Sequence, residues 1–246
     1  MKNIQKLQQQ INESQRIVFF GGAGVSTESG IPDFRSAEGI FVQDTGYQYS
    51  PEEIISRSFF EQHPKVFFEF YFDKLIYPDA KPNSTHQFIA DLESVGKEVN
   101  VITQNIDGLH QDAGSTKVHE LHGTVRDNYC LNCHEHFTVE ELERDSNGIP
   151  RCPYDSGIVR PNVVLYQEGL DEDVLNSAVK AIQKADMLII GGTSLVVYPA
   201  AGLVNYFSGD NLVVINKTLI QANHQGVLTF EDTLSNVFNQ LELDNV

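Results

Sequence analysis

The sequence contains no tryptophan, two methionines and three cysteines among its 246 residues. It is also poor in positive charge, with Lys+Arg 17 against Asp+Glu 34 and a formal net charge of -17. Binding to nucleic acid through phosphates depends on clustered lysine and arginine, so no nucleic-acid partner is expected. The acidic surface is compatible with basic peptide partners, and equally with a surface that serves only solubility.

Long hydrophobic runs are absent as well. No stretch approaches 18 consecutive apolar residues, and the polar residues 1–10 lack the apolar centre of a signal peptide. We therefore expect no membrane partner. The odd cysteine count, with Cys130 and Cys133 two residues apart, favours a metal site over disulfides and a reducing cytoplasm as the location.

Apolar strand patterns alternate with helical patterns along most of the chain. The predicted helices cover residues 52–60, 65–75, 84–95, 171–184 and 199–207, and the predicted strands cover 17–20, 99–103, 187–190 and 212–215. Strands separated by such helices pair in parallel through crossover connections. The expected fold class is α/β, a doubly wound parallel sheet of the Rossmann-like kind.

Two regions interrupt this alternation. Residues 31–51 are polar and are expected to form a loop, and residues 128–161 hold all three cysteines. We interpret the second region as a small zinc-ribbon-type module inserted into the sheet domain. The predicted organisation is a Rossmann-like domain of residues 1–127 and 162–246 with the module of residues 128–161 inserted into it.

A glycine turn follows the first predicted strand and is expected to open a short helix. Gly22 and Gly24 fit the dinucleotide pattern Gly-x-Gly-x-x-Gly, although Thr27 occupies the third glycine position. A turn without Cβ atoms lets backbone N–H groups approach a pyrophosphate, whereas an ordinary strand-to-helix turn gives a similar pattern. The continuation Asp33-Phe34-Arg35 favours a ligand site, because an ordinary turn needs no acid, aromatic and guanidinium together.

The cysteine region has the spacing C-x2-C-x18-C-x2-D, which matches a zinc ribbon whose last thiolate is replaced by a carboxylate. The candidate ligands are Cys130, Cys133, Cys152 and Asp155. His134 and His136 are neighbours that could substitute for a ligand. The alternative is a module that has lost its metal and is kept by packing. Seven acids against four arginines between residues 126 and 160 argue against a nucleic-acid-binding ribbon.

Further polar clusters follow the later predicted strands, where ligands bind in open α/β sheets. They are Thr103–His110, the segment around His122, Gly191–Leu195 and Asn216–Lys217. A single loop histidine is more often a surface or packed residue than a catalytic one. His122 becomes a catalytic candidate because of the clusters around it.

Together these segments resemble the sirtuin family of NAD-dependent protein deacylases, of the bacterial deacetylase type. The resemblance rests on Gly22–Ser26, Ser29–Ser36, Thr103–His110, Leu121–Gly123, the cysteine pairs, Arg160–Val164 and Gly192–Leu195. They occur in the family order within residues 4–241.

The resemblance implies that NAD is a co-substrate that is consumed and that zinc has a structural role. Implied NAD-binding residues are Gly22, Ala23, Gly24, Thr27, Asp33, Phe34, Arg35, Gln104, Asn105, Ile106, Asp107, His122, Gly192, Thr193, Ser194, Asn216 and Lys217. Implied catalytic residues are His122, as general base on the ribose hydroxyls, and Asn105, which orients the nicotinamide ribose. The implied products are free lysine, nicotinamide and O-acyl-ADP-ribose.

The resemblance also implies that acylated-lysine proteins or peptides are the partners, and that they bind in a substrate cleft between the Rossmann-like domain and the module. They would bind as an added strand between two walls, Val163, Val164, Leu165 and Tyr166 on one side and Val196, Val197 and Tyr198 on the other. The family often has Phe-Gly-Glu where this chain has Tyr-Gln-Glu at residues 166–168, which alters one wall. Residues 70–74 lack the arginine of members that favour succinyl groups, so we expect acetyl or other uncharged acyl groups, with Lys74 leaving succinyl open.

Three other functions use a similar nucleotide site and stay open at this point. They are mono-ADP-ribosyl transfer to protein, a redox dehydrogenase and a non-enzymatic NAD sensor. The release of nicotinamide distinguishes acyl transfer from hydride transfer. We expect the protein to be a monomer.

Overall fold

The computed structural model describes residues 2–36, 39–42, 46–218, 220 and 226–243. Its nine strands are β1 (Arg16–Gly21), β2 (Glu98–Thr103), β3 (Val118–Glu120), β4 (Gly123–Cys130), β5 (His136–Phe137), β6 (Val159–Val163), β7 (Met187–Gly191), β8 (Asn211–Asn216) and β9 (Leu228–Glu231). Six of them form a sheet in the order β3-β2-β1-β7-β8-β9, and every neighbouring pair is parallel. The doubly wound α/β prediction is confirmed.

Of the eight α-helices in the described part, four have 11 to 13 residues and four have 4 to 6. They are α1 (Lys2–Glu13), α2 (Pro51–Ile54), α3 (Arg57–Gln62), α4 (Pro64–Lys74), α5 (Ser84–Ser94), α6 (Leu109–Asp112), α7 (Glu172–Lys184) and α8 (Leu234–Phe238). None of the helices in the described residues is long and apolar enough to span a bilayer.

Three helix predictions differ from the structure. The helix predicted over 52–60 is two helices, because Ser56 leaves the helical conformation and its Oγ caps α3 by accepting from the N–H of Phe59. The helix predicted over 199–207 is a 3-10 helix, Ala200–Tyr206. The glycine turn opens not a helix but two 3-10 turns, Ala23–Val25 and Thr27–Ser29.

The parallel sheet is buried on both faces, which explains its continuous apolar strands. In β1 only Arg16 is exposed, and β7 is buried throughout. The strand order reverses between β1 and β7, so their carboxyl ends, at Gly21 and Gly191, border the crevice where ligands bind in such sheets.

A second, antiparallel sheet has the order β5-β4-β6. One hydrophobic cluster joins it to α3 and α4. The buried members of this cluster are Phe60, Phe67, Phe68 and Tyr71 on the helices and Val125, Ile149, Val163 and Leu165 on or near the sheet. These helices thus cover the second sheet, and the domain boundaries drawn from the sequence stay a prediction.

The loop after β6 is closed by a buried ion pair between Arg160 and Glu168, whose side chains are 9% and 17% exposed. The guanidinium binds both carboxylate oxygens, at 2.7 and 3.0 Å, and donates to the carbonyl of Val163. Burial alone raises the pKa of Glu168, but the bonds from Arg160 and from the N–H of Leu165 outweigh it, and the pKa lies below its usual value.

We expect Glu168→Gln to lower the free energy of unfolding by about 3–5 kcal/mol, because it leaves a buried cation without a counter-charge. Urea denaturation measures the change. Glu61→Gln is the matched control, since it removes a carboxylate from an exposed pair with Arg57, and it should cost at most about 0.5 kcal/mol. Equal losses in the two variants would contradict the role of burial.

Candidate active site

A cavity of about 910 Å³ lies at the carboxyl ends of the parallel strands, and β4 and the loop after β6 form its other side. All seventeen residues predicted to bind NAD line this cavity, from Gly22 to Lys217. Six of the seven predicted substrate residues line it too. The exception is Val196, whose side chain is 56% exposed and which is absent from the lining.

The glycines of the first turn are required by close packing. A Cβ at Gly22 would lie 2.8 Å from Cβ of Thr193, and a Cβ at Gly24 would lie 2.8 Å from Cα of Gly192. The N–H of Gly24 also donates to the carbonyl of Gly192, at 2.8 Å. The loops after β1 and β7 therefore meet directly at the point where the strand order reverses.

A buried serine connects two of the predicted NAD-binding residues. Oγ of Ser26 donates to Oδ2 of Asp107, at 2.6 Å, and accepts from Nδ2 of Asn105, at 3.0 Å. The other carboxylate oxygen of Asp107 accepts from the N–H of Leu109. Ser26 is not among the residues predicted for the site, although its hydroxyl within the glycine turn was a usable signal.

His122 has a defined tautomer. Its Nδ1 lies 3.0 Å from the carbonyl oxygen of Gln104. A carbonyl oxygen only accepts, so Nδ1 carries the proton and Nε2 keeps its lone pair. Burial lowers the pKa of His122, and the bond to Gln104 opposes this only in part. The imidazole is therefore a neutral base within the cavity lining.

His110, the histidine of the Thr103–His110 segment, is a core residue. His110 is 1% exposed and packs edge-on against His86, with ring centroids 4.7 Å apart. Burial lowers the pKa of His110 to about 3 and that of His86 to about 4, so both rings are neutral. Neither ring lines the cavity.

The wall after β6 that is predicted to bind substrate has few free backbone donors. The N–H groups of Val164, Leu165 and Tyr166 already donate to the carbonyl of His122, to Glu168 and to the carbonyl of Ile55. A peptide added as a strand here would therefore have to donate to carbonyl oxygens of the wall.

Gln167, which follows this wall, stands where the family often has glycine. Its φ of 77° lies in the left-handed region, which explains why glycine suits this position. The side chain turns away to accept from the N–H of Ser58, at 3.1 Å, and ties the wall to α3.

The four predicted metal ligands come together. One ligand atom from each of Cys130, Cys133, Cys152 and Asp155 lies within 4.8 Å of all the others. The Sγ atoms of Cys133 and Cys152 are 3.6 Å apart, close to the about 3.8 Å that tetrahedral zinc with Zn–S bonds of about 2.3 Å requires. All three cysteines are free thiols. The residues fit zinc.

The two nearby histidines are outside this group. His136 binds Asp127 instead, at 2.6 Å, and His134 is an exposed turn residue with φ of 62°. The metal-capable group found in the described residues contains neither of them.

Several lining residues escaped the sequence analysis. They include Ile76–Pro78 after α4, Asp112, Arg126 and Asp232–Leu234 before and within α8. The crossover topology brings them in from elements outside the quoted motifs, so local spacing carried no signal for them.

The comparisons with known proteins agree with this geometry. The Sir2 family description matches residues 22–199, more than half of the chain. The chain belongs to the Sir2 family. A curated Sir2 relative, the NAD-dependent protein deacetylase of Clostridium perfringens (strain 13 / Type A), is 55% identical over 239 residues, which cover 97% of this chain and 98% of the relative.

Two solved Sir2 structures superpose closely. One, a Sir2 variant with a deacetylated p53 peptide and 3′-O-acetyl-ADP-ribose, is 36% identical with a TM-score of 0.85, and 96% of each chain is covered. The other, Sir2 with a p53 peptide and NAD+, is 36% identical with a TM-score of 0.82, again with 96% of each chain covered. The resemblance predicted from the motifs is confirmed.

Proposed function

We propose that this protein is an NAD-dependent protein-lysine deacetylase that releases nicotinamide and forms O-acetyl-ADP-ribose. The neutral His122 base, the Asn105–Ser26–Asp107 network and the wall at residues 163–166 all lie in the same cavity, and this observation carries the proposal. The names of the similar proteins support the same activity.

The cavity fits NAD in size and in chemistry. The adenosine half of NAD would be held by Thr193, Asn216 and Lys217. The pyrophosphate of NAD would be held by the turn at Ala23–Gly24 together with Arg35 and Ser194. The carboxylate of Asp107 accepts two internal hydrogen bonds and keeps lone pairs for the nicotinamide amide. When bound, NAD supplies the ribose carbon that receives the acyl oxygen as nicotinamide leaves.

Three residues of the chain have separate roles in the reaction. Asn105 orients the nicotinamide ribose from a position that Ser26 fixes. Phe34 shields the reactive face of the bound NAD. Nε2 of His122 removes a proton from a ribose hydroxyl, while the carbonyl of Gln104 keeps the ring in the required tautomer.

The acyl group expected is acetyl or another uncharged group. Lys74 lines the cavity, but its ammonium already pairs with Asp73, at 3.1 Å. A dicarboxylic acyl group would have to compete with that carboxylate. The succinyl alternative therefore requires Lys74 to exchange partners.

Mass spectrometry tests the function. Matched acetyl-lysine and succinyl-lysine peptides are incubated with protein and NAD, and we expect loss of the acetyl group together with nicotinamide and O-acetyl-ADP-ribose. Accumulation of NADH would indicate a dehydrogenase, labelled adenosine retained on protein would indicate ADP-ribosyl transfer, and no turnover would indicate an NAD sensor. Faster desuccinylation would contradict the acyl preference.

The pH dependence should follow His122. Burial places its pKa below 6.5, and only the neutral ring accepts a proton, so activity is lost as pH falls through that lowered pKa. We expect kcat/KM to be level above pH 6.5 and to fall about tenfold per pH unit below the pKa. A pH series of initial rates checks this, and an acid limb with its midpoint above 6.5 would contradict it.

The remaining expectations rest on the sequence. A cytoplasmic location, a monomeric state and the absence of nucleic-acid and membrane partners stay proposals. The same holds for the role given to each site residue and for the boundaries 1–127, 128–161 and 162–246. The acylated-lysine partner is supported by the peptide complexes of the similar structures.

A further inference from the structure

The loop that carries Asp107 is supported from β4. The carbonyl of Ile106 accepts from the N–H of Val125, at 3.0 Å, and the carbonyl of Asp107 accepts from Nε of Arg126, at 3.1 Å. Two neighbouring residues of one strand thus hold two neighbouring carbonyls of the loop. The first bond is between backbones, whereas the second depends on a side chain.

Gly108 is shaped to receive this side chain. Its φ of 73° lies in the left-handed region, and a Cβ there would lie 2.2 Å from Nε and 2.5 Å from Cζ of Arg126. The guanidinium therefore lies directly against the main chain of residue 108. Both the turn and the close approach require glycine at this position.

Asp112, at the end of α6, holds the guanidinium from the other side. Oδ1 accepts from Nη1 of Arg126, at 2.6 Å, and Oδ2 accepts from Nη2. The hydrogen bonds of Arg126 lower the pKa of Asp112, which stays charged at neutral pH. The planar guanidinium of Arg126 thus binds both the loop before α6 and the carboxylate at the end of α6. The single ammonium of a lysine cannot make both contacts.

We propose that Arg126 is a positioning residue for Asp107, and that it fixes the main-chain path from which the Asp107 carboxylate meets the nicotinamide amide. Asp112 acts through Arg126. The inference rests on the proposed function, because it takes Asp107 as the nicotinamide ligand. Ser26 and the N–H of Leu109 fix the orientation of the Asp107 carboxylate. Arg126 therefore fixes the position of the main chain that carries this carboxylate.

The test compares ligands with and without nicotinamide. We expect Arg126→Met to raise KM for NAD about tenfold. The nicotinamide concentration that halves deacetylation should rise by about the same factor. Both changes correspond to the loss of one charge-assisted hydrogen bond. Calorimetry should give an unchanged affinity for ADP-ribose, which lacks nicotinamide, and KM for the peptide should be unchanged. Arg126→Lys should behave like Arg126→Met, because the charge remains but the fork is lost.

Two further variants complete the design. Asp112→Asn should have a smaller effect, and combined with Arg126→Met it should add nothing, since Asp112 acts through the guanidinium. Arg57→Met, which removes an exposed arginine from its pair with Glu61 outside the cavity lining, is the control and should leave every value unchanged.

Two outcomes would overturn the inference. In one, Arg126→Met matches Arg57→Met in nicotinamide inhibition. In the other, ADP-ribose affinity falls as much as NAD affinity, which indicates general damage to the cavity. A wild-type protein without deacetylase activity would refute the proposed function instead, and the comparison of NAD with ADP-ribose by calorimetry would still decide the role of Arg126.

Discussion

Replacing His122 with alanine is expected to reduce kcat for deacetylation by a factor of about 10²–10⁴, the usual contribution of a general base. The cause is the loss of Nε2 as proton acceptor. Binding should change little, because the ring contributes one contact to a cavity that many other residues line. Steady-state kinetics with an acetyl-lysine peptide measures the loss.

The size of this effect depends on the state of the ring. Gln104 accepts from Nδ1 and so leaves the lone pair on Nε2. Burial lowers the pKa, which keeps the ring neutral at neutral pH. Both features favour the form of the ring that accepts a proton at Nε2.

The reaction step that needs His122 can be separated by experiment from the release of nicotinamide. In the proposed function the base acts on the ribose after nicotinamide has left, so exchange of labelled nicotinamide into NAD should persist in His122→Ala with the acetylated peptide present. His119→Ala is the control, since His119 lies in the neighbouring strand, bonds to Asn100 and does not line the cavity. Normal turnover by His122→Ala would refute the assignment.

The sheet and the positions of its loops could be predicted from local sequence. Parallel strands are buried on both faces, so β1, β7 and β8 contain continuous apolar runs, and β2 is apolar apart from Asn100 and its two ends. Ligand residues in such a sheet follow the strands directly. Asn105, Asp107, Thr193 and Asn216 therefore all reach one cavity, as expected.

What escaped prediction depends on contacts between distant segments. Ser56 splits a helix because its hydroxyl caps the next one, which the apolar pattern does not show. Arg126 gains its role from Asp112 and the carbonyl of Asp107, and the sequence spacing of the three gives no sign of the contact. Ser26 was within a recognised motif, yet its partners lie about 80 residues away.

The cysteine module should depend on zinc for its fold. Among the described residues, its own buried apolar cluster consists of Cys130, Cys152 and Val159, with Phe137 and Leu142 partly buried against it, while Ile149 packs in the cluster shared with α3 and α4. Such a small cluster stabilises little, whereas a structural zinc site contributes an apparent binding free energy of about 10–16 kcal/mol. The metal is therefore expected to be the main source of order in this module.

The carboxylate of Asp155 is already oriented toward the cysteines. Its Oδ1 accepts from the N–H of Gly157, at 2.8 Å, and its two oxygens lie 3.3 and 3.7 Å from Sγ of Cys130. A carboxylate oxygen is an accepted zinc ligand, and three thiolates with one carboxylate close the site against substrate. Zinc here would serve structure and take no part in the chemistry at His122.

We expect one zinc per chain by elemental analysis, and loss of that zinc in Cys152→Ala together with rapid proteolysis within residues 131–158. Asp155→Ala should weaken zinc binding by more than the about 10–100-fold that loss of an outer-shell partner costs, and Asp155→Cys should bind at least as tightly as the wild type. His136→Ala, which removes a neighbouring histidine that binds Asp127, should keep its zinc. A wild-type protein that is folded, resistant to protease and free of zinc would show that packing alone holds the module.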